Sequence, residues 1–283
     1  MADIGASIRA AAVRLGASSD TARLDAEVLM AHVMGVSRSD LLLRHLKGNE
    51  PAGYAALIDR RAFQEPVAYI TGQQDFYGLA LHISPAVLIP RGDSEVLIDA
   101  ARARFAERGP LRILDLGTGS GALAIAAQSI WGEAEAIGID RSIEACRVAQ
   151  ANAKRHGRAR IVQRDWLQAG WADDLGRFDL ILANPPYVES GAELAGSVRR
   201  FEPAEALFAG ADGLGDYRLI IPQLAGLLTP QGAAFVEIGA TQAEAVSGLA
   251  LAAGFSAKLH LDLADRPRAL EMAALRNISL GKA

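Results

Sequence analysis

From Leu111 onward, short apolar runs alternate with stretches of helical period, and this alternation restricts the fold more than any other feature of the chain. The runs are LRILDL (111–116), EAIGID (135–140), ARIVQ (159–163), FDLILA (178–183) and AAFVEIG (233–239). They are nearly continuous in apolar residues, as expected of strands covered on both faces. Helical stretches at 142–155 and 216–228 lie between them. Strands separated by helices predict an α/β fold, a doubly wound and mostly parallel sheet. AKLHLDL and ALEMAAL, near the end of the chain, read as two further strands.

The first part of the chain is different. Up to about Phe63 the pattern is helical with short polar turns. Ser19 and Asp20 are placed to cap a helix whose apolar face carries Leu24, Val28 and Ala31, and Gly35 is its natural stop. A second helix begins near Pro51 and spaces Tyr54, Leu57, Ile58 and Arg61 helically. Residues 64–92 form a bridge, in which Leu79, Leu81 and Ile83 alternate as in one strand of a hairpin. Asp93 is then expected to cap a helix that runs to Ala103 and ends before Gly109-Pro110.

Charge and cysteine content narrow the classes of function. Residues 1–80 hold 8 Lys+Arg against 9 Asp+Glu, and the whole chain carries −4, so no domain-wide basic surface for phosphates is expected. One cysteine, Cys146, forms no internal disulfide and fits a reducing compartment. No apolar run reaches membrane-spanning length, and the N-terminus lacks a basic start followed by an apolar stretch. A soluble, cytoplasmic protein is expected.

The first strand of the alternating region runs into Asp115-Leu116-Gly117-Thr118-Gly119-Ser120-Gly121. Such a loop lets a ligand lie against the backbone beside a helix N-terminus. Gly117, Gly119 and Ala122 also satisfy the dinucleotide fingerprint, so the loop alone leaves a nicotinamide-dependent oxidoreductase open. Asp140 ends the second strand, where its carboxylate can accept both hydroxyls of a ribose or cap the helix that starts near Ser142. After the third strand, Asp165 could accept from an adenine amine and Trp166 could flank the ring or serve as a core aromatic. Together these features describe a nucleoside cleft at the strand C-termini.

The fourth strand ends in Asn184-Pro185-Pro186-Tyr187. Elsewhere this would be only a turn, but here it lies where the cleft opens. An amide or aromatic amine is a poor nucleophile because its lone pair is delocalised, and its two N–H groups need two fixed acceptors. The Asn184 side-chain oxygen and the Pro185 carbonyl can supply them, the two prolines stiffen the turn, and Tyr187 offers a flat face. No Ser/His/Asp set and no metal-ligand cluster competes, so no metal is expected. Cys146 falls in mid-helix as a small core residue.

DLGTGSG followed by ANPPY is similar to the class I methyltransferases that modify planar nitrogens. IPRGDSEVLI (89–98), FEPAEALFAGADGLGDYRLII (201–221), EIGATQ (237–242) and DLADRPR (262–268) resemble the peptide chain release factor glutamine methyltransferases. The resemblance spans nearly the whole chain. It implies a seven-stranded sheet whose last strand is antiparallel, S-adenosyl-L-methionine as methyl donor (leaving as S-adenosyl-L-homocysteine), and N5-methylglutamine in the GGQ loop of class 1 release factors as product. By motif position it implies that Gly117, Thr118, Gly119, Ser120, Gly121, Asp140, Asp165, Trp166 and Asn184 hold the cofactor. Asn184, Pro185, Pro186 and Tyr187 would hold the glutamine amide, with Arg91 and Phe76 near the substrate channel and Glu237 behind the site.

The domains implied are 1–72 as a helical docking domain for the release factor, 73–92 as a hairpin linker, and 93–283 as the methyltransferase domain. No membrane and no direct nucleic-acid contact are expected. The sister family that methylates a ribosomal-protein glutamine shares the NPPY turn, and Asp93 with Glu95 favours the release-factor branch. Adenine methyltransferases of nucleic acid also use such a turn but call for a basic recognition domain. Where the family pattern has PRPDTE, this chain has Gly92 and Ser94, which loosens the turn while keeping Arg91, Asp93 and Glu95.

Overall fold

A computed structural model describes residues 3–275. Its strands are β1 (Gln73–Phe76), β2 (Leu79–His82), β3 (Arg112–Leu116), β4 (Glu135–Asp140), β5 (Arg160–Gln163), β6 (Phe178–Ala183), β7 (Leu228–Glu237), β8 (Phe255–Leu261) and β9 (Pro267–Ala274). The last seven form one sheet in the order β5-β4-β3-β6-β7-β9-β8. Pairings from β5 through β7 are parallel, and β9 runs antiparallel to both β7 and β8. This is the expected seven-stranded sheet with its last strand reversed. Among the described residues no helix is long and apolar enough to cross a membrane.

The register explains where a site can form. Leu116 pairs with Ile139 on one side and Ala183 on the other, Asp140 with Gln163, and Ala183 with Val236. The residues that follow β3, β4 and β6, and the last residue of β7, are thereby brought to one edge of the sheet. A core of Leu114, Ile137, Phe178, Ile181, Tyr217, Val236 and Phe255 holds that edge rigid. Cys146 is buried in the helix Ile143–His156, and burial pushes its thiol up to about 11.

The chain divides into two compact units. One runs up to Gln73 and also takes Ile83–Pro85 and Leu194–Glu202; the other holds Gln74–His82, Ala86–Glu193 and the described chain from Pro203. The first has its own core, built from Ile4, Ile8, Leu15, Leu29, Met30, Leu41, Tyr54 and Ile58. Its second helix, Ala22–Met34, stops at the left-handed Gly35 as expected. Its buried face differs from the expected one. Ala26, Leu29, Met30 and Ala31 point inward while Leu24 is 43% exposed. The stripe is turned because Asp25 and Glu27, polar by type, are also buried and are paired: Asp25 with Arg61 at 2.7 Å, Glu27 with Arg38 at 2.7 Å. Nor do Ser19 and Asp20 cap the helix. Thr21 is the N-cap, and Ser19 hydrogen-bonds Asp25.

In the second unit β1 and β2 form the expected hairpin, turning through Tyr77 and Gly78 with φ of 49° and 75°. Positive φ at both turn residues is the two-residue geometry that matches strand twist. The fully buried Asn152 clamps the hairpin: it accepts from the His82 N–H and donates to the carbonyls of His82 and Ser120. One side chain thus joins the hairpin to the glycine loop.

Asp93 does not cap the following helix, which spans Glu95–Arg104 and is led in by a 3-10 turn, Gly92–Ser94. Its carboxylate is drawn instead to Arg268 (3.1 Å) and Arg266 (3.4 Å), two cations that flank the start of β9. Gly92 lies in open space, where an added Cβ would meet nothing within 4 Å. Arg91 before it has φ −103° and ψ 144°, the region a residue preceding proline prefers. Gly92→Pro is therefore expected to stabilise the protein by about 0.4–1 kcal/mol through the unfolded state. Thermal unfolding reads this directly, and a lowered midpoint would show that the backbone at 92 needs what glycine provides.

Candidate functional site

The glycine loop is shaped by steric necessity. Gly117 and Gly119 have φ of 70° and 53°, a region costly for side chains, and a Cβ on Gly117 would also come within 3.2 Å of the Trp166 ring. Gly121 (φ 84°) allows close packing, since a Cβ there would lie 2.9 Å from Ile125. Thr118 fills the space above Gly138, where a Cβ would meet its hydroxyl at 2.6 Å. Its own hydroxyl donates to the buried Asp115 (2.6 Å), which also accepts from the Ala124 N–H at the start of the next helix.

Burial pushes the Asp115 carboxyl from 3.8 up to about 7, only partly offset by those two donors. The folded chain therefore keeps a proton that the unfolded chain releases at lower pH. Asp115 favours folding below its ordinary range, and this contribution is lost as pH rises towards 7. Asp115→Asn should flatten that part of the stability profile, as read by denaturant titrations at pH 5 and pH 8.

Asp140, at the end of β4, holds the loop from the other side. One carboxylate oxygen accepts from the Gly119 N–H (3.0 Å), the other from the Ser142 N–H (2.9 Å). The helix cap itself is Ser142, which accepts from the Ala145 N–H, so Asp140 is not needed for that role. Burial raises the Asp140 carboxyl, and the two backbone donors work against the shift.

These groups open onto one cleft. Of the expected site residues, Phe76, Gly117, Thr118, Gly119, Ser120, Asp140, Trp166, Asn184 and Pro186 line it. Gly121, Pro185, Tyr187, Arg91 and Asp165 are not among its lining residues. The Asp165 carboxylate is turned to its own backbone, accepting from the Leu167 N–H at 2.9 Å. Asp216, in the first turn of the helix Gly215–Leu227, lines the cleft in its place and accepts from the Trp166 indole N–H at 3.3 Å. Burial raises its carboxyl as well. The segment 201–221 stands out in sequence, but nothing in it marks Asp216 as the partner of Trp166, which lies 50 positions away.

At the end of β6, Asn184 donates from Nδ2 to the Ser94 hydroxyl (3.2 Å), and Ser94 donates to the Glu237 carboxylate (2.5 Å). The other Glu237 oxygen accepts from the Tyr187 hydroxyl at 3.0 Å. Glu237 is 1% exposed, and burial pushes its carboxyl up against the pull of Ser94, Tyr187 and Arg268. Tyr187, shielded and facing this carboxylate, has its phenol raised and does not ionise near neutral pH. The edge thus offers carboxylates for hydroxyl or amine groups, an indole face for a flat ring, and an amide beside a rigid turn. The Glu237 carboxylate behind Asn184 is taken up by Ser94 and Tyr187, so this end of the cleft is equipped to hold and orient a planar group.

Comparison with known proteins follows the same outline. Residues 7–72 match the family model described as the PrmC N-terminal domain, and residues 93–209 match the methyltransferase small domain. The release factor glutamine methyltransferase of Geobacter sulfurreducens is 40% identical over 243 residues, covering 83% of this chain and 84% of that protein. Those of Bordetella pertussis and Escherichia coli are 43% and 39% identical, covering 82% and 84% of this chain and 87% of each relative. Among solved structures, the hMettl16 catalytic domain aligns with a TM-score of 0.57 at 14% identity, covering 77% of this chain and 83% of that one, which speaks for the fold alone.

Proposed function

Because the chain belongs to the release factor glutamine methyltransferase family, we propose that its cleft binds S-adenosylmethionine and that Asn184 and Pro185 hold the substrate glutamine amide beside it. The substrate is the GGQ glutamine of class 1 release factors, and the products are N5-methylglutamine and S-adenosylhomocysteine. The observation that carries this reading is that Asn184 lines the same cleft as Asp140, Trp166 and the glycine loop. A group held at the turn is then next to a group held at the loop.

The residues present fit the cofactor. Asp140 offers carboxylate oxygens to a ribose, Trp166 a face to adenine and Asp216 an acceptor to its amine. Gly117 and Gly119 keep the backbone bare on the side of the cleft, and a Cβ on Gly117 would crowd the Trp166 ring. When bound, S-adenosylmethionine supplies an electrophilic methyl on a sulfonium. The Asn184 oxygen and the Pro185 carbonyl accept the two amide N–H groups and keep the nitrogen in line with that methyl. Phe76, Val87 and Phe208 line the cleft and exclude water, which strengthens each polar contact inside it. With the cofactor bound, the methyl would pass to the amide nitrogen held by Asn184 and Pro185, the sulfur would keep the electron pair of the broken carbon–sulfur bond, and the nitrogen's proton would leave to solvent. Orientation supplies most of the acceleration.

The helical first unit serves as the docking surface for the release factor. It carries its own core, and the lining residues of the cleft all belong to the other unit. Removing residues 1–70 should impair methylation of whole release factor while cofactor affinity persists. Loss of cofactor binding would instead make the unit part of the catalytic fold.

Labelled methyl transfer to purified release factor, ribosomal protein and DNA in parallel tests the function. Label on the release factor is expected. Label on the ribosomal protein alone would move the chain to the sister activity.

A further inference from the structure

We propose that Glu237 is a positioning residue for methyl transfer: acting through Ser94, it sets which end of the Asn184 amide faces the substrate. This rests on the role given above to Asn184 and assigns two further residues to the same site.

The argument is one of counting protons. A serine hydroxyl has one proton to donate and can accept. Ser94 donates its proton to Glu237 at 2.5 Å, so towards Asn184 it can only accept. The amide must then turn its NH2 to Ser94, at 3.2 Å, which leaves Oδ1 as the atom available to a ligand in the cleft that Asn184 and Ser94 both line. A glutamine amine presents only N–H groups there, so an acceptor is what the reaction needs. An amide turned the other way would set NH2 against NH2. Without an outside constraint the two amide orientations occupy nearly the same volume, and only the hydrogen-bond partners choose between them.

Glu237 is suited to impose that choice. It ends β7 and is almost wholly buried, so its oxygens have no competing water. Its second oxygen accepts from Tyr187 at 3.0 Å, so one carboxylate steadies both ends of the 184–187 turn. Its own backbone carbonyl is fixed by the Tyr217 hydroxyl at 2.9 Å. Arg268, itself paired with Asp93, supplies a nearby cation that favours the acceptor form. Ser94 is only 4% exposed, and its hydroxyl is held between Glu237 and Asn184.

The test compares wild type, Ser94→Ala, Ser94→Thr, Glu237→Asp and the double variant Ser94→Ala/Glu237→Asp, in methylation of whole release factor. Glu237→Asp keeps the charge facing Arg268 but draws the carboxylate back from Ser94 by about one bond, ~1.5 Å. Ser94→Ala and Glu237→Asp should each lower kcat about tenfold to a hundredfold, as expected for a misoriented acceptor, with cofactor affinity unchanged. The double variant should lose no more than the worse single one, because both act through one relay. Ser94→Thr restores the hydroxyl and most of the rate.

A structural role alone would lower the melting temperature and cofactor affinity together and would leave the two losses to multiply. Multiplying losses, or a Ser94→Ala enzyme with wild-type kcat, overturns the relay while leaving the function intact. Wild-type enzyme that puts no label on release factor overturns the functional reading and the relay with it.

Discussion

Asn184→Ala is expected to lower kcat about 10³-fold while leaving the affinity for S-adenosylmethionine unchanged. Two losses combine. The substrate amine loses one of two fixed acceptors, and its nitrogen no longer stays in line with the methyl group. Removal of a single preorganised polar partner at a reacting centre costs roughly 10²–10³-fold, and loss of alignment adds to it. The proposed cofactor contacts arise elsewhere, from Asp140 at the end of β4, Trp166 after β5 and Asp216 on the helix Gly215–Leu227, so binding should survive. Single-turnover methyl transfer and calorimetric titration of the cofactor separate the two effects. A parallel fall in both would mean that Asn184 chiefly supports the cofactor pocket.

The second large effect falls on binding. Asp140→Ala should weaken cofactor affinity about 10²–10³-fold and leave kcat at saturating cofactor close to wild type. Hydrogen bonds to a charged group contribute about 1.5–3 kcal/mol each, and a ribose offers this carboxylate two hydroxyls. The same substitution frees the Gly119 and Ser142 N–H groups that Asp140 now holds, so the loop also loses its anchor. Asp140→Asn keeps one acceptor oxygen and should fall between the two. Equilibrium titration of the three proteins measures the series. An Asp140→Ala enzyme with wild-type affinity would remove the ribose contact from the account.

Much of this was legible in the sequence because it is local. The buried strands announce themselves as apolar runs, the glycine loop by glycines at 117, 119 and 121, and the proposed substrate turn as Asn184-Pro185-Pro186-Tyr187 directly after a strand. Parallel register then brings those local signals to one edge without further information. What escaped depends on partners far apart in the chain. Ser94 and Glu237 meet across 143 positions, and nothing beside either residue marks the relay to Asn184. Asp216 and Asp165 are the same residue type near the same ring, and only the fold shows that Asp165 turns to its own backbone.

The same cause explains why Asp93 and the helix Ala22–Met34 depart from what their own segments suggest. Asp93 has the form of a helix cap, and Asp25 and Glu27 have the form of a solvated helix face. Each is claimed by distant arginines: Asp93 by Arg266 and Arg268, Asp25 by Arg61, and Glu27 by Arg38. Propensity and periodicity describe what a segment does alone, and an ion pair with a residue far along the chain overrides both.

The most direct test of the central claim is to incubate the protein with S-adenosylmethionine and a class 1 release factor, then map the modified residue by peptide mass spectrometry. The account predicts one added methyl, located on the side chain of the GGQ glutamine and absent when Asn184→Ala replaces the wild-type enzyme. A methyl on any other residue, or an unmodified GGQ peptide beside an enzyme that binds its cofactor, would contradict it.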